Sequence, residues 1–127
     1  MAHHSRIDKV VIDVAPADHE REVAFWAAAT GQPLTRSERF PEYHSGDIPG
    51  QDVGVLVQRL EEGTTRIHLD VHTTDVDAEV ARLEQLGATR VRQVNSWWIM
   101  RDPAGLTFCV VPDSGEQLHD GTAARWD

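Results

Sequence analysis

Ile67-His68-Leu69-Asp70-Val71-His72-Thr73-Thr74-Asp75 decides the fold, because it aligns without a gap on Val10-Val11-Ile12-Asp13-Val14-Ala15-Pro16-Ala17-Asp18. The register runs on into Glu22-Val23-Ala24 and Glu79-Val80-Ala81, so Asp13 and Asp70, Asp18 and Asp75, and Glu22 and Glu79 all share one offset (70 − 13 = 57). A repeat this long and present only twice is not a solenoid unit; it reads as a duplicated half-domain.

Each half begins with a strand and then a helix. The β-branched run Val10-Val11-Ile12 predicts a strand over 7–14. Asp18 is placed to cap the next helix, whose Val23, Trp26 and Ala27 fall on one side, and Gly31 stops it. In the second half Thr65 to His72 predicts the strand, Asp75 the cap, Val76, Val80 and Leu83 the buried stripe, and Gly87 the stop. Further strands are expected over Thr89–Val94, Ser96–Arg101 and Thr107–Val111, with Asp102-Pro103-Ala104-Gly105 as the turn before the last. In the first half Gln51–Leu60 reads as a strand, and the stretch Leu34–Pro49, broken by Pro41, Gly46 and Pro49, is expected to hold two more. Module one thus covers about 6–60 and module two about 65–112 of a single domain, followed by a polar tail over 113–127, either an ordered arm or a frayed end.

Bulk properties exclude several classes. The 127 residues are 40% hydrophobic and 26% charged, as in a globular domain. No apolar run approaches the roughly 20 residues that span a bilayer, and no signal-peptide core is present. One cysteine, Cys109, rules out an internal disulfide framework and is in keeping with a cytoplasmic protein. The net charge of −9, with Lys9 the only lysine, argues against a nucleic-acid partner. Phosphate loops, nucleophile elbows and paired-cysteine zinc motifs are absent from the sequence.

Ile67 to Val71 with Asp75, then Ala81-Arg82-Leu83-Glu84-Gln85-Leu86-Gly87-Ala88, then Trp98 to Cys109 through Asp102-Pro103-Ala104-Gly105, resembles the vicinal oxygen chelate superfamily. That superfamily includes glyoxalases, bleomycin-resistance proteins and extradiol dioxygenases. Phe25-Trp26 and Thr30-Gly31 are similar to its opening module, so the resemblance covers about Arg6 to Pro112. It implies an α+β fold in which two βαβββ modules form a curved, eight-stranded mixed sheet with a concave cup. In the family that cup holds a divalent metal through His, Gln or Glu on the first and fourth strands of each module. It also implies a homodimer.

Strand alternation places Val10, Ile12 and Val14 toward the helix and Val11 and Asp13 toward the cup; likewise Ile67, Leu69 and Val71 toward the helix and His68, Asp70 and His72 toward the cup. His68 then stands at a family ligand position, with Val11 as its counterpart. Gly54 and Gly105 match the fourth strands at an offset of 51 and pair Gln58 with Cys109. Val11 cannot coordinate, so the expected metal site is degenerate and no cofactor is expected; if a metal binds, His68, Cys109 and Gln58 would hold it, and zinc suits them best. The alternative for Cys109 is a small buried hydrophobe.

The candidate catalytic residues are His68, Asp13 and Asp70, since a carboxylate-held imidazole is a serviceable base near neutral pH; the same groups could simply bond one another. Candidate ligand-binding residues are Val11, Gln58, His72, Cys109, and Trp98 with Met100 on one face of their strand. Tyr43, Phe40 and His44 lie in the irregular first-half loop, and His3, His4, His19 and His119 are expected in solvent. Three readings follow: a small-molecule binding protein of the bleomycin-resistance type, a lyase or isomerase acting on a small oxygenated metabolite, or a purely structural or regulatory module. Classical glyoxalase and dioxygenase chemistry are disfavoured because the metal set is incomplete.

Overall fold

The structure is a computed structural model, and it describes residues 2–47 and 53–127. Among the described residues, nine strands and two helices follow one another as β1 (His3–Val14), α1 (His19–Thr30), β2 (Thr35–Arg36), β3 (Tyr43–Asp47), β4 (Gly54–Arg59), β5 (Arg66–Thr73), α2 (Val76–Gln85), β6 (Thr89–Val94), β7 (Trp97–Arg101), β8 (Thr107–Pro112) and β9 (Ala124–Trp126). The strand order is β2-β3-β4-β1-β5-β8-β7-β6, with β9 on β1. The sheet is mixed and open, and the fold is α+β. The chain divides into two compact units, Lys9–His68 and Met1–Asp8 with Leu69–Asp127.

In the Lys9–His68 unit, β1 runs parallel to β4 in the register Ile12↔Val57 and Asp13↔Gln58, and β3 lies antiparallel to β4 with Tyr43 opposite Gln58. Ile12, Val14, Val55 and Val57 form the core, and Val23 and Trp26 of α1 with Leu34 close over it. Each such aliphatic side chain contributes about 1.5–3 kcal/mol on full burial. Helix α1 is entered through a single 3-10 turn, Pro16–Asp18, and ends at Gly31, whose φ of 71° suits glycine. Asp18 does sit at the N-cap, but its side chain bonds no helix N–H and instead pairs with Arg21, correcting the expected cap. Gly46 has its own constraint: a Cβ there would lie 2.8 Å from the Pro33 carbonyl oxygen. The broken stretch 34–49 does yield two strands, β2 and β3; Pro49 and the expected start of the fourth strand at Gln51 and Asp52 lie outside the described residues.

In the other unit, β5 runs parallel to β8 in the register Asp70↔Cys109, and β7 bridges β8 and β6 in antiparallel fashion. The pairs Asp13–Gln58 and Asp70–Cys109 are the same register one repeat apart, at the offsets 57 and 51. Val80, Met100, Phe108 and Val110 form this core, joined by Leu69, Val71, Val76, Leu83 and Trp98. Asp75 caps α2 as expected, accepting from the Ala78 N–H at 3.1 Å. Asp102 Oδ1 accepts from the backbone of Ala104 and Leu106, which fixes the turn before β8.

Three expectations fail here. Ile67 was assigned to the helix side yet is 58% exposed, because the core under α2 begins only at Leu69. Strand β1 starts at His3 rather than Ile7, since β9 pairs with it in the register His3↔Trp126 and Ser5↔Ala124; the polar tail is an ordered arm. His3 is accordingly buried rather than solvated. Its Nε2 donates to Glu79 Oε1 at 2.9 Å, Arg82 grips the same carboxylate at 2.7 and 3.0 Å, and the Arg82 guanidinium lies 3.8 Å over the Trp126 ring. Trp126 Nε1–H in turn donates to Ser5 Oγ. Burial alone would raise the Glu79 pKa, but hydrogen bonds from Arg82, Ser5 and His3 outweigh it and hold the carboxyl below its usual range.

Candidate functional site

With Ile12, Val14, Val55 and Val57 turned to α1, alternation leaves Val11, Asp13, Leu56 and Gln58 on the opposite face of the Lys9–His68 unit, with Tyr43 beside Gln58. Strand β5 brings His68 to this face. Its Nδ1 lies 2.6 Å from Asp13 Oδ2, and Asp13 is 3% exposed. Arg66 Nε stands 3.8 Å from the same carboxylate oxygen. Asp13 thus orients the ring through Nδ1 and balances any positive charge the ring takes up. Sequence reasoning had grouped these two with Asp70 and His72, and the structure brings Asp13 and His68 together.

Val11 is buried and has no donor atom, and Gln58 offers one neutral amide oxygen. Cys109 is buried in β8 between Phe108 and Val110.

The remaining candidates lie in the second unit. Asp70 is the strand partner of Cys109, on the face away from α2. Trp98 and Met100, expected to line the ligand site, point the other way: Met100 is fully buried against Val80 and Trp98 packs on the same cluster. Alternation along β7 therefore puts Ile99, opposite Cys109, on the face they were meant to occupy. His72 is drawn to partners the sequence did not suggest. Its Nδ1 lies 2.8 Å from Asp113 Oδ2 and 3.5 Å from Asp8 Oδ2. No short-range pattern joins residues so far apart in the chain; only the parallel register Thr73↔Pro112, which sets Asp113 just past His72, could have signalled the pair.

His19 was expected in solvent, yet it is buried and stacks edge-on against His44 with ring centroids 5.0 Å apart. Neither His19 Nε2 nor His44 Nδ1 has a hydrogen-bond partner. Burial, then His44 and Arg59, lower the His19 pKa; burial, Arg36 and Arg59 lower that of His44. Both rings are therefore neutral at pH 7. Among the described residues no helix is long and apolar enough to cross a membrane.

Solved structures of the same fold include methylmalonyl-CoA epimerase from Mycobacterium tuberculosis, 18% identical over 87% of this chain and 89% of that one, with a TM-score of 0.55. A hypothetical protein from Bacillus halodurans C-125 is 8% identical over 87% of this chain and 95% of that one, at 0.63. A mutant of 4-hydroxymandelate synthase from Streptomyces coelicolor is 13% identical over 86% of this chain and 49% of that one, at 0.59. At such identities these likenesses speak for the fold alone. Comparison with curated protein sequences found no match. Residues 9–111 match the sequence profile of the glyoxalase-like domain, so this chain belongs to the glyoxalase-like domain family, within the vicinal oxygen chelate superfamily.

Proposed function

We propose that this chain is a small-molecule binding protein that takes an oxygenated ligand on the face carrying Asp13, Gln58 and His68, with no metal at the family's positions. The observation that carries this reading is the 2.6 Å contact between His68 Nδ1 and the buried Asp13 carboxylate, beside a valine where the fold family needs a ligand. A fixed imidazole, a carboxamide and the nearby Tyr43 and Arg66 supply polar groups that can orient a ligand carbonyl or carboxylate. A homodimer, as the family resemblance implies, and a cytoplasmic location, as the lone Cys109 suggests, belong to the same reading, and light scattering checks the first.

The test is thermal shift of chelator-treated protein against small oxo- and hydroxy-carboxylates and their coenzyme A thioesters. One class should raise the melting temperature, and His68→Ala and Asp13→Asn should each abolish the rise. Stabilisation that survives both substitutions, or appears only after metal is added, overturns the proposal.

The same dyad favours a second reading, an isomerase or lyase in which His68, held by Asp13, moves a proton next to a carbonyl. The name of the epimerase neighbours makes methylmalonyl-CoA the first probe. Incorporation of solvent deuterium, lost in His68→Ala, would select this reading over simple binding. No incorporation with any ligand that binds would leave binding alone.

A further inference from the structure

The cluster Asp8, His72 and Asp113 lies wholly in the unit Met1–Asp8 with Leu69–Asp127 and includes none of Val11, Gln58, His68 and Cys109. One donor atom from each residue falls within 4.8 Å of the others, and all three side chains are largely buried. Zinc bonds of about 2.0–2.2 Å at tetrahedral angles put neighbouring donors about 3.3 Å apart. The two distances to His72 Nδ1, 2.8 and 3.5 Å, bracket that spacing.

The carboxylates are aimed, not merely close. Arg6 holds Asp8 by Oδ1 alone, at 3.0 and 3.2 Å, which turns Oδ2 toward His72. The Ser114 N–H holds Asp113 by Oδ1 at 2.8 Å, again leaving Oδ2 toward the same ring nitrogen. The Asp113 N–H bonds the Thr73 carbonyl at 2.8 Å, locking the residue to β5 beside His72. Tethering one oxygen of a carboxylate while directing the other to a common point is how outer groups position metal ligands.

From this geometry we propose that Asp8, His72 and Asp113 bind a divalent transition-metal ion, with zinc preferred over magnesium. One imidazole and two carboxylates suit a borderline ion, whereas magnesium prefers an all-oxygen octahedron. Binding moves the ring proton from Nδ1 to Nε2, so that the Nδ1 lone pair replaces its hydrogen bond to Asp113. Three protein ligands leave a fourth zinc position for water or a ligand oxygen. This inference does not rest on the ligand face around His68.

The experiment is zinc titration of the untagged full chain, stripped of metal, in competition with a chromophoric chelator. Asp113→Asn, nearly isosteric, and His72→Ala are measured beside His68→Ala, with far-UV circular dichroism confirming the fold. One equivalent should bind, and Asp113→Asn and His72→Ala should each weaken it at least tenfold, since losing even an outer-shell partner costs about 10–100-fold. His68→Ala should leave the affinity unchanged, and magnesium should not compete. The absence of saturable binding, equal binding in all variants, or a loss confined to His68→Ala overturns the proposal; the last would place the ion at the family's position instead.

Discussion

Replacing Glu79 by glutamine tests whether the buried His3–Glu79–Arg82 network stabilises the fold. The carboxylate is fully buried and accepts hydrogen bonds from His3, Ser5 and, twice, from Arg82. Breaking a buried ion pair from one side costs about 3–5 kcal/mol, because the remaining charge is left unmatched. Glutamine keeps one acceptor oxygen but turns an NH2 donor toward Arg82 or His3, so it recovers part of one bond worth about 1.5–3 kcal/mol. The expected net loss is about 2–4 kcal/mol. With a urea m-value of about 2 kcal/mol/M, the midpoint should fall by roughly 1–2 M at pH 7. The pH dependence is an independent check. Glu79 has a folded pKa below its ordinary 4.5, so its contribution is complete above that value and is lost as pH falls through the lower folded value. The gap between wild type and Glu79→Gln should therefore hold steady from pH 5 to 7 and narrow below 4.5. A midpoint change equivalent to less than about 0.5 kcal/mol, the scale of an ordinary surface substitution, would refute the reasoning.

Two further predictions concern the same fold. His19 and His44 have folded pKa values below the ordinary 6.5, so the unfolded chain binds protons first and stability should fall as pH drops below 6.5; denaturant midpoints between pH 5 and 8 should show this slope, and His44→Gln should flatten it. Asp75→Ala removes a bond to the Ala78 N–H and should cost about 1 kcal/mol, whereas Asp18→Ala, with no such bond to lose, should leave thermal stability nearly unchanged.

The parts of the fold legible in the sequence rest on local physics. Alternation in Val10 to Val14 and from Leu69 to Val71, Asp75 as a cap and Asp102 to Gly105 as a turn act within a few residues, and each has its counterpart in the structure. The repeat also carried the long-range register, because two offsets sufficed to equate Asp13–Gln58 with Asp70–Cys109. What stayed hidden depends on contacts that no periodicity encodes. His3 reads as a solvated end until β9 returns from over a hundred residues away to pair with it. Asp18 has the residue type of a cap, but Arg21 offers its carboxylate a charged partner. Trp98 and Met100 were correctly placed on one face of a strand, yet the sequence did not say which face met α2. In the candidate site the same line divides Asp13 with His68, suggested by alternation and adjacency of strands, from Asp8 and Asp113, which reach His72 only through tertiary structure.

The pairing of Ala124–Trp126 with His3–Ser5 bears on handling of the protein as well as on its stability. A strand margin left without a neighbour is a template on which another chain can build a sheet. Here three residues of β9, anchored by one indole hydrogen bond to Ser5 and a guanidinium stacked on Trp126, stand between that margin and other copies of the chain. A fusion partner joined directly after Asp127, or a proteolytic nick at the solvent-facing turn around Gly121, would loosen this cover while leaving the two apolar cores in place. The resulting material would keep its spectroscopic signature yet gather slowly into larger species on storage, a fault that would be blamed on the buffer when its origin is a single short strand.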